Sequence, residues 1–342
     1  MNIVQTHHKV IFGNSIDMKE LSRDSIQLVV TSPPYFNAPF DYPGFFKTYR
    51  DFLNLLKKIA KELKRVVANG RVCCFVVDDM LVDGDKFPVV ADLTKIMVKA
   101  GFRYRDRIVW IKPKGYVRIS RRSGVILQHP YPMYFYPDNL QESILIFQKG
   151  KFDYSYIKSL PAEIVEASKI DKKEFNDSET SLTVWDDILG ERNAVPDTWH
   201  ITNVLPMKGR LEEGIAAFPD EIARRLIKLF TFVGENVLDP FAGSGTTMKV
   251  AKELRRNSFG YEIDLELKPI IAAKLGFNQS TLSDDKIELV ERSDAGHFRT
   301  NLQKIVKQRE SVTSQPLVNQ SGSHPDKVHN EANEKAREVP VI

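Results

Sequence analysis

The segment Thr31–Tyr35 (TSPPY) places a hydroxyl, two prolines and an aromatic ring directly after a short apolar run. Consecutive prolines fix the backbone and remove two N–H donors, so nearby carbonyl groups are left facing outward. The Ser32 hydroxyl and the Pro33 carbonyl could accept the two hydrogens of an amino group on a planar base, while Tyr35 stacks on its ring. Pro34 completes the rigid elbow. The alternative is a rigid turn without chemistry, because Pro-Pro turns are common.

An exocyclic amine is a weak nucleophile because its lone pair is delocalised into the ring. Such a pocket would make the amine more nucleophilic. Two acceptors held near tetrahedral directions would localise that pair toward an incoming methyl group. In-line geometry with the methyl donor would supply much of the acceleration. The nearby Phe36 and Phe40 would either line the base pocket or cover the edge of the sheet.

A second segment, Asp239–Thr247 (DPFAGSGTT), lies between a strand-like run and a helix-like run. Glycines let the backbone approach a ligand closely, and a helix N-terminus offers free N–H groups. The segment lacks the lysine of a phosphate-binding loop, and Met248 stands where a dinucleotide fingerprint has its third glycine. A site for a nucleoside without a diphosphate is therefore favoured over a tight structural turn.

Glu262 ends the strand that follows this loop and its helix, so its carboxylate returns to the same edge of the sheet. A carboxylate there can accept hydrogen bonds from both hydroxyls of a ribose. Asp239 would lie near the cationic half of such a ligand. The alternative is a tight turn that carries an exposed acid.

Strands and helices alternate around these motifs, which indicates a mostly parallel, doubly wound α/β sheet. The predicted strands are Lys9–Phe12, Gln27–Thr31, Arg71–Val77, Phe102–Ile111, Ser143–Gln148, Asn236–Leu238 and Ser258–Ile263. The predicted helices are Tyr49–Val67, closed by Gly70, then Phe87–Ala100, Asp220–Phe232 and Thr246–Arg256.

The composition limits the class of protein, its location and its chemistry. The 342 residues are 42% hydrophobic, which suffices for a real core, and no apolar run is long enough to span a membrane. The N-terminus lacks the plan of a signal peptide, so a cytoplasmic location is expected. Cys73 and Cys74 are adjacent in an apolar strand, where inert packing is expected rather than nucleophilic chemistry. No metal site is expected from His7 and His8, since no further ligand pattern accompanies them.

Positive charge is concentrated between Arg103 and Arg122, although the net charge is only +4. This stretch is either a solvated face or a surface that tracks phosphates. Residues 151–206 are polar and irregular, which is typical of an inserted module. After about Gln308 the composition predicts disorder.

Together the two motifs resemble those of the amino-methyltransferases of restriction–modification systems, which share a (D/N/S)PP(Y/F) tetrapeptide and an FxGxG loop. The order here, TSPPY before FAGSGTT, resembles the circularly permuted β group. The resemblance spans about residues 8–278. Weaker matches are Gly13–Asp17 (GNSID), Trp110–Pro113 (WIKP), Glu142–Lys149 (ESILIFQK) and Ala217–Pro219 (AFP), the last without the histidine that often precedes it.

The resemblance implies a Rossmann-like, seven-stranded, S-adenosylmethionine-dependent methyltransferase fold with an inserted target-recognition region. It divides the chain into a catalytic half (1–150), a recognition region (151–205), a cofactor-binding half (206–278), a C-terminal extension (279–307) and a disordered tail (308–342).

The resemblance also implies roles for individual residues. The catalytic pocket would comprise Ser32, Pro33, Pro34 and Tyr35. S-adenosylmethionine would be bound by Asp239, Phe241, Gly243, Gly245, Thr246 and Glu262, with Phe218 over its methionine end and Asn14 and Asp17 near its adenine edge. Double-stranded DNA would be gripped by the basic stretch, with Lys114, Arg118, Arg121 and Arg122 as contacts, and the target base would be flipped out.

Serine at the first tetrapeptide position is associated in this family with N4 of cytosine, so an N4-cytosine methyltransferase is expected. An N6-adenine methyltransferase on the same scaffold is the first alternative. A non-catalytic DNA-binding module with a vestigial cofactor fold is a more remote one. The resemblance further implies a cognate restriction endonuclease in the same system and no membrane partner. Trp110 is expected in the strand core more than on a base.

Overall fold

The computed structural model describes residues 4–36, 45–82, 85–112, 141–170, 198–202, 218–277 and 285–298. The strands are β1 (His7–Phe12), β2 (Ile26–Thr31), β3 (Val67–Val77), β4 (Met80–Val82), β5 (Asp85–Phe87), β6 (Arg103–Ile111), β7 (Gln141–Gln148), β8 (Thr198–His200), β9 (Asn236–Asp239), β10 (Asn257–Glu262) and β11 (Lys286–Glu291). The helices are α1 (Tyr49–Val66), α2 (Val89–Lys99), α3 (Ser155–Ser159), α4 (Ala162–Ala167), α5 (Asp220–Phe230), α6 (Thr246–Glu253) and α7 (Lys268–Leu275), with a 3₁₀ turn at Leu265–Leu267.

Nine of the described strands form one sheet in the order β11-β1-β10-β9-β2-β3-β7-β6-β8. All neighbours pair in parallel except β7, which is antiparallel to both β3 and β6. The predicted Rossmann-like α/β fold is confirmed. Seven strands form the centre of the sheet, and one further strand lies at each side, β11 beside β1 and β8 beside β6.

The direction in which the chain winds reverses between β9 and β2. From β9 the chain moves to β10 on one side, and from β2 it moves to β3 on the other. In open α/β sheets, ligands bind outside the carboxyl ends of the strands at such a reversal. We call the side where β1, β2, β3, β9 and β10 end the carboxyl edge, and the opposite side the amino edge.

Helices cover both faces of the sheet because its strands alternate side chains between two cores. Cys73 packs with Phe52 and Leu56 of α1, whereas the adjacent Cys74 packs on the other face with Leu226 of α5. Both thiols are fully buried, as the apolar run predicts, and burial raises the pKa of each.

The end of α1 differs from its prediction. The helix stops at Val66 and β3 begins at the next residue, so Gly70 does not cap a helix but lies inside the strand with φ of +82°. A Cβ at Gly70 would lie 2.7 Å from the Cα of Phe152, so a close backbone approach requires glycine there. Likewise Phe87 belongs to β5, and α2 begins only at Val89.

Two segments contain structure that the irregular pattern did not predict. Residues 286–291 of the C-terminal extension form β11, which pairs with β1 in parallel. Residues 151–170, the start of the predicted recognition region, carry α3 and α4 and pack at the amino edge. Tyr156 there donates to Glu235 Oε1 at 2.9 Å, and Glu235 is paired with Arg71. No helix in the described ranges is both long and apolar enough to cross a membrane.

Candidate active site

One open cleft at the carboxyl edge is lined by residues of both predicted motifs. The TSPPY segment contributes Ser32, Pro33, Pro34 and Tyr35, and the glycine loop contributes Pro240, Phe241 and Gly243. Asn14 and Glu262 line the same cleft. The space between these residues, open solvent included, is about 830 Å³. The two segments, distant in sequence, therefore form one site.

Asp239 links the two motifs from the buried side of the cleft. Thr31 Oγ1 donates to Asp239 Oδ1 at 2.6 Å, and the backbone N–H of Phe241 donates to the same oxygen at 3.0 Å. Asp239 is 2% exposed and is not among the residues that line the cleft. Its side chain therefore fixes the end of β2 to the glycine loop, at the place where the winding of the chain reverses.

The glycine loop and Glu262 are held together by backbone donors. Gly243 N–H donates to Glu262 Oε2 at 2.7 Å, and Asp264 N–H donates to Oε1 at 2.9 Å. The carboxylate is thus fixed in orientation, and a carboxylate oxygen can accept more than one hydrogen bond. Gly243 has φ of +53°, and an added Cβ would meet nothing closer than 3.9 Å, so its backbone borders open space.

Tyr35 is held by a buried ion pair that the sequence did not reveal. Its hydroxyl donates to Glu142 Oε2 at 3.1 Å, and Lys112 Nζ donates to Glu142 Oε1 at 2.6 Å. Burial, followed by the charge of Glu142, raises the pKa of Tyr35 well above its usual range, so the phenol keeps its proton. Sheet direction brings these groups together, because Lys112 follows the carboxyl end of β6 and Glu142 lies at the start of the antiparallel β7.

The remaining predicted cofactor residues are not among those that line the cleft. Gly245 and Thr246 begin α6 behind the loop, where Gly245 adopts φ of +81° and caps the helix. Asp17 is exposed beside Arg292 and does not line the cleft. Phe218 is buried in the core that contains α5 and does not line the cleft either. Their predicted contacts with the cofactor stay predictions.

Several lining residues were missed by sequence reasoning. They are Gly13, Ser15, Phe45, Leu55, Tyr261, Ile263 and Leu267. Gly13 and Ser15 flank Asn14, and Tyr261 and Ile263 flank Glu262, so position beside a predicted residue could have indicated them. Phe45 comes from the segment before α1, and Leu55 comes from α1 itself. Nothing in the sequence indicated that either of them reaches the site.

The four predicted DNA contacts, Lys114, Arg118, Arg121 and Arg122, lie outside the described residues. In the described part of the basic stretch, Arg103, Arg105 and Arg107 are exposed, whereas Lys112 is buried. Arg103 hydrogen bonds Gln148 at 2.5 Å, Arg105 lies over the ring of Phe230 at 5.3 Å, and Lys112 is buried in its pair with Glu142. Trp110 is 2% exposed and donates to the Ile201 carbonyl, so its expected place in the core is confirmed.

The cleft has the chemistry that a nucleoside sulfonium ligand needs. The oriented carboxylate of Glu262 suits ribose hydroxyls, the open backbone at Gly243 permits close approach, and Phe241 offers an apolar surface. No group of three or more histidine, cysteine, aspartate or glutamate side chains with a metal-ligand arrangement occurs within the described ranges.

The buried position of Asp239 leads to a pH prediction. Burial raises its pKa from 3.8 to about 6, against the lowering effect of its hydrogen bonds. The folded state therefore holds this proton more tightly than the unfolded state. The stabilisation is complete below about pH 4 and is lost as the pH rises through about 6, on the order of 3 kcal/mol. Asp239→Asn keeps one acceptor oxygen and should become more stable relative to the wild type over that window.

Urea unfolding of both proteins between about pH 4 and pH 8 measures this difference. His8, whose pKa is lowered to about 4 by burial, titrates in the same window but is common to both proteins and cancels in the comparison. A difference in the free energy of unfolding that is constant across pH would contradict the assignment.

Comparisons with known proteins identify the family of the chain. A model of the N6/N4 DNA methylase family matches residues 26–273. The Type II methyltransferase M.MjaI of Methanocaldococcus jannaschii is 32% identical over 84% of this chain and 98% of its own. The Type II methyltransferase M.MthZI of Methanothermobacter thermautotrophicus is 28% identical over 90% of this chain and 89% of its own.

A solved structure extends the likeness to the fold and the cofactor. A Thermus thermophilus protein, described as a putative DNA modification methylase and solved in complex with S-adenosyl-L-methionine, has a TM-score of 0.59 and 25% identity, with 83% of this chain and 99% of that one covered. The shared fold, the matched family and the cleft formed by TSPPY and the glycine loop lead to one conclusion: the chain belongs to the N6/N4 DNA methylase family and is an S-adenosylmethionine-dependent DNA methyltransferase.

Proposed function

We propose that the protein transfers a methyl group from S-adenosylmethionine to the exocyclic N4 of cytosine in double-stranded DNA. The observation that carries the proposal is the single cleft shared by Ser32–Tyr35, Gly243 and Glu262. Serine at the first position of the tetrapeptide favours cytosine over adenine, as in the family that the motif resembles. The bound cofactor supplies an electrophilic methyl group on a sulfonium.

The residues of the cleft divide the work. Glu262 and the backbone at Gly243 hold the nucleoside half of the cofactor, with Asn14 beside them and Phe241 as an apolar wall. Ser32 Oγ and the Pro33 carbonyl accept the two hydrogens of the target amine and direct its lone pair toward the methyl group. As the N–C bond forms, the S–C bond of the donor breaks, S-adenosylhomocysteine is the leaving product, and the amine gives up one proton to water in the open cleft. Pro34 keeps this elbow rigid, and the ring of Tyr35 stacks on the base after it leaves the duplex.

DNA binding is proposed for the basic residues Lys114, Arg118, Arg121 and Arg122, with sequence reading in the part of the recognition region beyond residue 170. Residues 151–170 pack at the amino edge, away from the cleft, and are assigned a structural role. Since the curated relatives are Type II methyltransferases, we further propose that the methylation protects host DNA from a cognate endonuclease.

Nucleoside analysis tests this function. DNA from a host that expresses the protein and lacks other base methylation is digested to nucleosides and analysed by mass spectrometry, with a Ser32→Ala strain as the control. N4-methylcytosine in the wild-type sample alone is expected. N6-methyladenine as the only product would overturn the cytosine assignment, and no methylated nucleoside from a folded protein would overturn the function.

A further inference from the structure

Three side chains at the carboxyl edge form a hydrogen-bonded row that reaches the cleft beside Ser32. Lys112 Nζ donates to Glu142 Oε1 at 2.6 Å, and the Tyr35 hydroxyl donates to Glu142 Oε2 at 3.1 Å. Ser32 lies three residues before Tyr35 and lowers the pKa of the phenol, as a hydroxyl that donates to the Tyr35 oxygen does. Ser32 and Tyr35 both line the cleft, whereas Lys112 and Glu142 are buried behind them with side chains 4% and 9% exposed.

The direction of each hydrogen bond in this row is fixed by chemistry. An ammonium group can only donate, and a carboxylate can only accept. Tyr35 keeps its proton because of burial, so it must give that proton to Glu142. The Tyr35 oxygen is then left with lone pairs alone, and it accepts the hydrogen of Ser32. Ser32 Oγ consequently presents lone pairs, and no hydrogen, to the cleft.

A second row, with a tyrosine, a glutamate and an arginine in place of the lysine, exists at the amino edge, and none of its three residues lines the cleft. There Tyr156 donates to Glu235 at 2.9 Å, and Glu235 is paired with Arg71, whose side chain is 8% exposed. Buried ion pairs are commonly replaced by apolar side chains without loss of stability, so their presence calls for a local reason. The row at the amino edge fastens residues 151–170 to the sheet. The row at the carboxyl edge reaches Tyr35, which lines the cleft together with Ser32.

We propose that Glu142 and Lys112 are positioning residues that orient the hydrogen bonds of Tyr35 and Ser32, so that the cleft accepts a base with an amino group and rejects one with a carbonyl oxygen at that place. An amine offers hydrogens to Ser32 Oγ and the Pro33 carbonyl, whereas a keto oxygen would face two acceptors without a donor. The inference rests on methyl transfer to a base amino group and holds for cytosine or adenine.

Glu142→Gln reverses the polarity of the row with little change of volume. Lys112 takes the amide oxygen, so the amide N–H₂ faces Tyr35 and donates to it. The Tyr35 hydrogen is then free for Ser32, and Ser32 can turn its own hydrogen into the cleft. We expect kcat to fall about 10- to 100-fold while the KM for S-adenosylmethionine changes less than about threefold.

Binding measures the selectivity directly. Duplexes that carry cytosine or uracil at the mapped target position are titrated in the presence of S-adenosylhomocysteine, with hypoxanthine in place of uracil if the mapped target is adenine. The wild type should prefer the amino base more strongly than Glu142→Gln does, by about 10-fold or more in the ratio of the two Kd values. The cost of extracting each base from the duplex is the same for both proteins and cancels in this comparison.

Matched variants separate this role from a structural one. Tyr35→Phe keeps the ring and the ion pair, and it should lower kcat and the selectivity as Glu142→Gln does. Their double variant should lose no more than the larger single loss, because both changes interrupt one row. Tyr156→Phe and Glu235→Gln, the same changes at the amino edge, should leave kcat within about twofold of the wild type.

Each outcome decides the question. A Glu142→Gln protein with wild-type kcat and wild-type selectivity overturns the inference, and so do additive losses in the double variant. If Glu142→Gln does not fold, Tyr35→Phe decides alone, and an unchanged kcat and selectivity would then contradict the proposal. Absence of methylation by the wild type is a different result, which overturns the proposed function.

Discussion

Replacing Ser32 by alanine is expected to lower kcat at least about 100-fold while the Kd for S-adenosylmethionine changes by less than about threefold. The physical reason is the role proposed for Ser32 Oγ, which is to accept a hydrogen from the amine and not to bind the cofactor. Without it, one of the two acceptors that localise the nitrogen lone pair is lost. Steady-state kinetics with DNA and calorimetric titration of the cofactor measure the two quantities.

Ser25→Ala is the matched control for this change. Ser25 lies just before the amino end of β2, at the other end of the strand from Ser32, and its hydroxyl donates only to the Ser22 carbonyl among the contacts that the structure describes. Its kcat should equal that of the wild type. If Ser32→Ala loses cofactor affinity as much as turnover, the division of the cleft into two halves is wrong.

Replacing Gly243 by alanine should have the opposite effect. An added Cβ would lie where the backbone borders the open cleft, and φ of +53° is unfavourable for any side chain. We expect the Kd for S-adenosylmethionine to rise about tenfold or more, with a smaller change in kcat at saturating cofactor. Calorimetric titration of the variant with the cofactor measures the change.

Gly234→Ala isolates the backbone strain from the effect on the ligand. Gly234 has φ of +82°, and an added Cβ would also meet nothing closer than 3.9 Å, but it lies before the amino end of β9. Both variants should lose similar stability, on the order of 1 kcal/mol, and only Gly243→Ala should bind the cofactor more weakly. Equal cofactor affinities for the two variants would remove Gly243 from the cofactor site.

The two motifs and their common edge could be predicted from the sequence because each motif follows a strand. TSPPY comes after β2 and the glycine loop after β9, and parallel strands end at one side of the sheet. Glu262 was found by the same reasoning, since it ends the strand after the glycine loop. Local chain direction is therefore enough to fix where such residues emerge.

Residues whose partners are distant in sequence could not be predicted in this way. Lys112 was counted in a basic surface, yet it pairs with Glu142 because an antiparallel strand starts beside the end of β6. Asp239 was expected near the cationic half of a ligand, which stays a prediction, and its hydrogen bond with Thr31 was not foreseen. In both cases the register of the sheet, which periodicity does not reveal, decides the contact.

The predicted ends of helices and strands were inaccurate for the same reason, because contacts between distant segments determine them. Gly70 was interpreted as the end of a helix, although its conformation serves a close approach to Phe152. β11 carries alternating polar residues, typical of an exposed edge strand, but its place in the sheet depends on pairing with β1. Such features depend on packing against other segments, and therefore only the structure identifies them.

The central claim is that TSPPY and the glycine loop form one site for methyl transfer. A crystal structure with bound S-adenosylhomocysteine tests it most directly. We expect the ribose beside Glu262, the backbone of Gly243 against the ligand, and the sulfur facing the Ser32–Tyr35 segment. A nucleoside bound elsewhere, or a sulfur that points away from Ser32, would contradict the claim.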